Sequence, residues 1–259
     1  MQVPPLRKRL GQHHLVDSGL CRPVIDFLSP RGRTVVEIGP GGGVLTDALL
    51  AAGADVMAVE LDLRWLFELG SRARRGLRLV AMDALDLHWE RVGEGSRVTG
   101  NLPFNVGTPI LQGLLLRCMT APKAAFLVQR EVADRLVASR GDSAYGALSV
   151  LVAARGGARL LGEVPADRFR PPPKVDGAFV GFDLQSPPLP AAQLPAFLKT
   201  VRIAFQHRRK TLRNSLAASW GGQKAADAVD QLRFGSHARA GELGLEDFLR
   251  LHQWTSSGA

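Results

Sequence analysis

Apolar runs that end in glycine- or acid-containing turns alternate with amphipathic stretches through the first two thirds of the chain. Residues 34–39, TVVEIG, are apolar at nearly every position, the pattern of a strand buried on both faces. They run into a glycine-rich turn, GPGGG, and then an apolar helical stretch, VLTDALLAAG. DVMAVE (55–60) predicts a second strand ending in an acid, and LRLVAMDAL a third with Asp83 at its end. SRVTGNLPF predicts a fourth, followed by the helical TPILQGLLLRC, and KAAFLVQ a fifth, followed by the helical REVADRLVAS. Strands alternating with helices predict a parallel sheet with both faces covered. Residues 144–153 and 179–184 suit further strands or a helix, and their pattern does not order them. Residues 185–190, QSPPLP, are barred from helix and central strand because proline lacks the amide donor, so they mark a boundary. Beyond them LPAFLKTVRIAFQ, KTLRNSLAAS, KAADAVDQL and LEDFLRLHQ are short amphipathic helical segments. The expected organisation is an α/β sheet domain over 1–184, a proline-rich linker over 185–195 and a smaller all-helical domain over 196–259.

Composition narrows the function classes. With 259 residues, 46% hydrophobic and 22% charged, the chain reads as a soluble globular protein of one large and one small domain. It has no apolar run long enough to span a bilayer, and its start, MQVPPLRKRLGQHH, lacks the apolar core of a signal peptide. Cys21 and Cys118 are far apart and lack metal-ligand spacing, which argues against a disulfide scaffold or a metal site and for a reducing cytoplasm. A net charge of +9 points to a polyanionic partner. The excess is clustered, in Arg7, Lys8 and Arg9 near one end and in Arg208, Arg209, Lys210 and Arg213, on an expected basic helix AFQHRRKTLRN, near the other. Two such clusters favour nucleic acid over a merely solvated surface. Monomer is the default expectation.

The candidate chemistry sits at the strand ends. Glycines after the first strand let the backbone turn tightly and a ligand approach closely. Glu60 closes the second strand about 20 residues later, where an acid can accept from ribose hydroxyls, and Asp83 can accept from an adenine amino group. Either acid alone is equally a helix N-cap; with the turn, they describe a cleft for a nucleoside cofactor. The turn departs from the GxGxxG spacing of pyrophosphate sites, and no GxxxxGK[ST] sequence occurs.

The run Glu37-Ile38-Gly39-Pro40-Gly41-Gly42-Gly43, with acids ending strands two and three, resembles the S-adenosylmethionine pocket of class I methyltransferases, which are Rossmann-like. Asn101-Leu102-Pro103-Phe104 resembles the N-[LI]-P-[YF] motif of adenine-N6 methyltransferases. LGQHHLVD (10–17) is similar to the lead-in segment of the KsgA/Erm family of ribosomal RNA adenine dimethyltransferases. FLVQREVADRL, SAYGALSVL, FRPPPKVDGAFV and FQHRRKTLRNSL are similar to its small-subunit, KsgA-type branch. The resemblance covers nearly the whole chain. It implies dimethylation of two adjacent adenosines in the 3′-terminal hairpin of 16S rRNA during 30S assembly, by a methyltransferase domain followed by a helical RNA-binding domain. Carried over by position, His13, Leu15, Gly39, Glu60, Asp83 and Asn101 would bind S-adenosylmethionine. Asn101, Leu102, Pro103 and Phe104 would form the catalytic pocket, with Phe169 as its other wall. Arg170 and Lys174 of the stiff RPPPK turn would face RNA, with the basic helix as phosphate ligand.

Three departures from the family pattern stand out. The Asn-Phe pair of the lead-in segment is His13-His14 here, the motif aromatic is Phe104 rather than tyrosine, and the N-terminal extension is short, so that part of an RNA-contacting or cofactor-covering lid is expected to be missing. Two other readings stay open at this point. One is an Erm-like 23S rRNA methylase of macrolide resistance, against which YGALSVL and RRKTLRN argue. The other is a non-catalytic 30S assembly factor, against which the intact Glu60, Asp83 and NLPF argue.

Overall fold

The structure, a computed structural model, describes residues 13–72 and 74–257. The expectations placed on Arg7, Lys8, Arg9 and the first residues of LGQHHLVD therefore lie outside the described residues. The chain divides into two compact units, one of the residues up to Ala133 with Gly156–Gln185, the other of Asp134–Arg155 with Ser186–Ala259.

The first unit is built on a seven-stranded sheet. The predicted strands form as β2 (Thr34–Ile38), β3 (Asp55–Glu60), β4 (Leu77–Ala81), β5 (Arg97–Asn101) and β6 (Lys123–Gln129). Two more, β7 (Ala158–Val164) and β9 (Gly177–Asp183), complete the order β4-β3-β2-β5-β6-β9-β7. β2 to β6 pair in parallel, whereas β9 runs antiparallel to both β6 and β7. The sheet is thus mixed, not wholly parallel. Val35, Val36, Glu37 and Ile38 are all buried, as the largely apolar run of β2 predicts for a central strand. Helices α1 (Arg22–Leu28), α2 (Val44–Ala51), α3 (Leu63–Gly70) and α4 (Gly107–Arg117) belong to this unit. A separate two-residue ladder pairs β1 (His14–Leu15) with β8 (Phe169–Arg170), antiparallel.

The second unit is helical: α6 (Ala147–Ala153), α7 (Leu194–Phe205), α8 (Leu212–Trp220), α9 (Gly222–Gln231) and α10 (Leu245–Ser256). The boundary falls inside α5 (Arg130–Val137). Residues 134–155 are therefore not part of the sheet unit, as the division at 184 assumed. Their contacts explain why: the Tyr145 hydroxyl donates to the Leu243 carbonyl at 3.0 Å, its ring meets Phe205 edge-on, and Phe205 stacks on Phe248. The buried faces of α7 and α10, Phe197, Val201, Phe248 and Leu251, form this unit's core.

The expected basic helix is broken. α7 stops at Phe205 and residues 206–210 turn, because Thr211 starts α8 by accepting from the Asn214 amide. Arg208, Arg209 and Lys210 stand exposed on that turn and Arg213 in the first turn of α8. Arg208 is anchored by donating to the Ser143 carbonyl at 2.6 Å. Among the described residues no helix is long and apolar enough to cross a membrane, and no group of histidine, cysteine and acid side chains is placed to hold a metal ion.

Candidate active site

The chain winds from β2 outward through β3 to β4 and then returns to the other side of β2 as β5. At such a reversal the loops after neighbouring strands part and leave a crevice at their carboxyl ends. A cavity of about 250 Å³ lies there, within the first unit. Residues 37–42, 59–61, 82–85 and 101–103 line it from the four strand ends, and residues 13–15 from β1. All six candidate cofactor residues, His13, Leu15, Gly39, Glu60, Asp83 and Asn101, meet on its wall, with Leu102 and Pro103.

The acids are held in three different ways. Glu60 is 7% exposed and accepts the Gly41 amide at 3.2 Å with Oε2 and the Asp62 amide at 2.9 Å with Oε1. A carboxylate can accept about four hydrogen bonds, so capacity for a ligand hydroxyl remains. Burial raises its pKa, which the amide bonds oppose. Asp83 lies two residues beyond β4, where it both lines the cavity and caps a short 3₁₀ turn by accepting the Leu85 amide at 2.9 Å. Lining the cavity and capping the turn are thus done by one carboxylate. Glu37, on β2, accepts from the Thr46 hydroxyl at 2.7 Å, and burial pushes its pKa up to about 8.

The Glu37 shift sets a pH dependence of stability. Its folded-state pKa lies above the unfolded one, so its contribution is complete below about pH 4.5 and is lost as pH rises through about 8. Between pH 6.5 and 8 the thermal midpoint of the native chain is expected to fall. Glu37→Gln, which cannot ionise, should fall less across that window in parallel melts.

Asn101 ends β5 with its amide fixed: Nδ2 donates to the His13 carbonyl at 2.6 Å, which leaves Oδ1 as the accepting end. The Leu102 amide donates to the Leu127 carbonyl, and the Pro103 carbonyl accepts from Val106 and Gly107, which starts α4. Phe104 is half-buried, its ring 5.3 Å from that of His13 and edge-on to Phe169 at 6.5 Å.

Phe169 does not form an open wall. It is fully buried in the core beside Leu127 and Phe179, where the β1–β8 ladder draws it inward behind Phe104. Phe169→Ala is accordingly expected to cost about 3–5 kcal/mol of stability, read from a denaturant midpoint. Arg170 and Lys174 are exposed on the adjoining turn. That turn is tied to the cavity by His13, whose Nδ1 donates to the Pro171 carbonyl at 2.8 Å. The cations Arg208, Arg209, Lys210 and Arg213 belong to the other unit.

The structure adds lining residues that sequence reasoning passed over. Leu61, Met82 and Leu85 give the cavity an apolar rim, and Leu61 is 51% exposed. An exposed leucine directly after a strand-ending acid was the available signal. His14 is a further addition: its Nδ1 accepts the Gly42 amide at 2.9 Å.

The residues present suit an adenosine-bearing sulfonium ligand. At Gly39 backbone meets the cavity with no side chain over it, Glu60 retains acceptor capacity, and the apolar rim offers a face for a flat base.

Comparison with known proteins extends these observations. A sequence model of the family described as ribosomal RNA adenine dimethylase matches residues 4–257. A ribosomal RNA small subunit methyltransferase A from Bordetella petrii is 38% identical over 95% of this chain and 93% of its own length. The protein of the same name from Thiobacillus denitrificans is 40% identical over 82% of this chain and 84% of its own. Among solved structures, a dimethyladenosine transferase from Plasmodium falciparum matches with a TM-score of 0.80 at 23% identity, over 95% of this chain and 98% of its own. The 23S rRNA methyltransferase ErmE matches with a TM-score of 0.70 at 23% identity, over 92% and 98%. At that identity the two structures speak for the fold.

Proposed function

The chain belongs to the ribosomal RNA adenine dimethylase family, and from that premise we propose how its residues divide the work of methylating two adjacent adenosines in the 3′-terminal hairpin of 16S rRNA. S-Adenosylmethionine, held by the glycine loop, Glu60, Asp83 and the segment 13–15, supplies an electrophilic methyl group. The protein's own task is to present the adenine amine. That nitrogen is a poor nucleophile because its lone pair is delocalised into the ring. An acceptor for its hydrogens favours the pyramidal geometry in which the lone pair becomes available. The observation that carries this reading is the Asn101 amide, pinned by the His13 carbonyl so that Oδ1 is the end left to accept. The Leu102 carbonyl is the second acceptor, and the half-buried Phe104 offers a face for the extruded base. Positioning, not a strong base, then accounts for the acceleration.

Arg170, Lys174, Arg208, Arg209, Lys210 and Arg213 contact RNA phosphates, so binding weakens steeply with salt, while the pocket and RNA shape select the site. The protein acts as a cytoplasmic monomer on the precursor of the 30S subunit.

The test is transfer of labelled methyl from S-adenosylmethionine to 30S and 50S particles that lack adenine dimethylation, with the product nucleoside identified. N6,N6-Dimethyladenosine in the 30S 3′-terminal hairpin is expected. Label in 50S alone would move the protein to the Erm class, and no label with 30S binding retained would make it an assembly factor.

A further inference from the structure

The glycine loop between β2 and α2 holds positive φ angles at Gly39, Gly41 and Gly43. Such a segment has many alternative conformations, yet its use as a cofactor cradle needs one. Two of its consecutive amides are claimed by side chains: Gly41 donates to Glu60 and Gly42 to Nδ1 of His14. The His14 ring also lies directly over the loop. A Cβ on Gly41 would stand 2.2 Å from its Cε1, and its other neighbour is the Trp65 ring of α3, 4.6 Å away between centroids. The backbone of His14 is fixed in turn by the β1–β8 ladder, opposite Arg170.

We infer that His14 is a positioning residue, which locks the glycine loop in its cofactor-binding conformation by accepting the Gly42 amide. The inference rests on the reading of this cavity as the S-adenosylmethionine site. Where the family pattern carries phenylalanine, contact alone is available; here the ring adds a directed bond to the loop.

The bond requires an unprotonated Nδ1, hence a neutral ring with its proton on Nε2. Among the described residues the charged groups around it are these. Asp62, at the start of α3, is held by Arg64; Glu60 lies behind Gly41; Arg72 donates to the Gly42 carbonyl; His13 is adjacent on the chain and Arg170 faces it across the ladder. Burial, reinforced by His13 and opposed by Asp62, lowers the His14 pKa to about 4, so the accepting form prevails at neutral pH.

Calorimetric titration with S-adenosylmethionine at pH 7.5 tests the inference on the native chain, His14→Phe and His14→Asn. His14→Phe keeps an aromatic ring and strands the Gly42 amide, so its Kd is expected to rise about ten-fold. In turnover on 30S particles the loss should appear in KM for S-adenosylmethionine, not in kcat. His14→Asn, whose Oδ1 can take the place of Nδ1, is expected to recover most of the affinity. Equal binding by His14→Phe and the native chain overturns the inference alone, as does an Asn variant as weak as the Phe variant. No binding by the native chain overturns the cofactor reading and the inference with it. Independently of any variant's folding, ¹⁵N spectra of the native ring should show the Nε2-protonated tautomer at pH 7, and an Nδ1-protonated ring would overturn the assignment.

Discussion

Asn101→Ala is expected to lower the rate of methyl transfer by about 10²–10³-fold, the usual loss on deleting one transition-state hydrogen-bonding partner. The side chain is half-buried at the end of β5 and, among the described residues, is held by the bond from Nδ2 to the His13 carbonyl. Its removal therefore opens no core cavity, and the thermal midpoint should move little. RNA affinity should also stay close to native, because the phosphate ligands are elsewhere. Asn101→Asp separates the two functions of the amide. It keeps an acceptor but replaces the donor to His13 with a second acceptor facing a carbonyl, so orientation is lost and only part of the rate returns. Single-turnover transfer to undermethylated 30S particles, alongside filter binding of the same particles, distinguishes these effects. A rate for Asn101→Ala within a few-fold of native would remove Asn101 from the reacting centre. Loss of RNA binding together with rate would assign it to substrate capture instead.

Five strands of the sheet were legible from their apolar runs, whereas the segment that becomes the buried β9 was left open between strand and helix. TVVEI, DVMAVE and KAAFLVQ are central or nearly so, and their largely apolar runs follow from that position. β7 escaped notice for the converse reason. It is an edge strand, ARLLGEV, with both faces partly exposed and a register irregularity at Leu160–Gly162, so neither periodicity is clean. The antiparallel turn-back of β9 was equally hidden, since a strand's own pattern says nothing of its direction. Residues 134–155 were misplaced because an apolar helix such as α6 announces burial but not which core receives it. Contacts between distant residues, such as Tyr145 with Phe205, 60 positions apart in the chain, reveal that.

The site was more legible than the fold around it. Glycines, a strand-ending acid and Asn-Leu-Pro-Phe are short, local signals, and the topology brings the glycines, the acid, Asn101, Leu102 and Pro103 to one cavity, with Phe104 outside its lining. What sequence could not supply were the bonds between distant residues that set their geometry. Nothing in LGQHHLVD indicates that the His13 carbonyl orients Asn101, 88 positions away, or that the His14 ring sits on Gly41. Phe169 illustrates the opposite error. An aromatic residue in a loop that faces a ligand reads as a contact, while the ladder from β1 turns it into core.

Gly100→Ala is expected to destabilise the first unit by about 3 kcal/mol or more and to cost cofactor affinity beyond what the lost stability explains. Gly100 pairs with Ile38 in the parallel register of β2 and β5. A Cβ there would lie 2.3 Å from the Ile38 carbonyl oxygen and 3.2 Å from its carbonyl carbon. These are backbone atoms of a buried central strand, which cannot swing aside as a flexible side-chain end does. The two strands must separate or twist at their carboxyl ends, between the glycine loop that follows Ile38 and Asn101, the next residue of β5. Strand separation there shifts the cradle and the acceptor apart, so binding and transfer fail together. Gly95, where a Cβ meets open space, provides a contrast although its positive φ carries its own conformational cost. Gly95→Ala should lower the urea midpoint only modestly and leave the Kd for S-adenosylmethionine near native. A Gly100→Ala protein with native midpoint and Kd would mean that β2 and β5 can open at their carboxyl ends without disturbing the site. In that event the close approach of the two strands could not be what sets the distance between the glycine loop and Asn101.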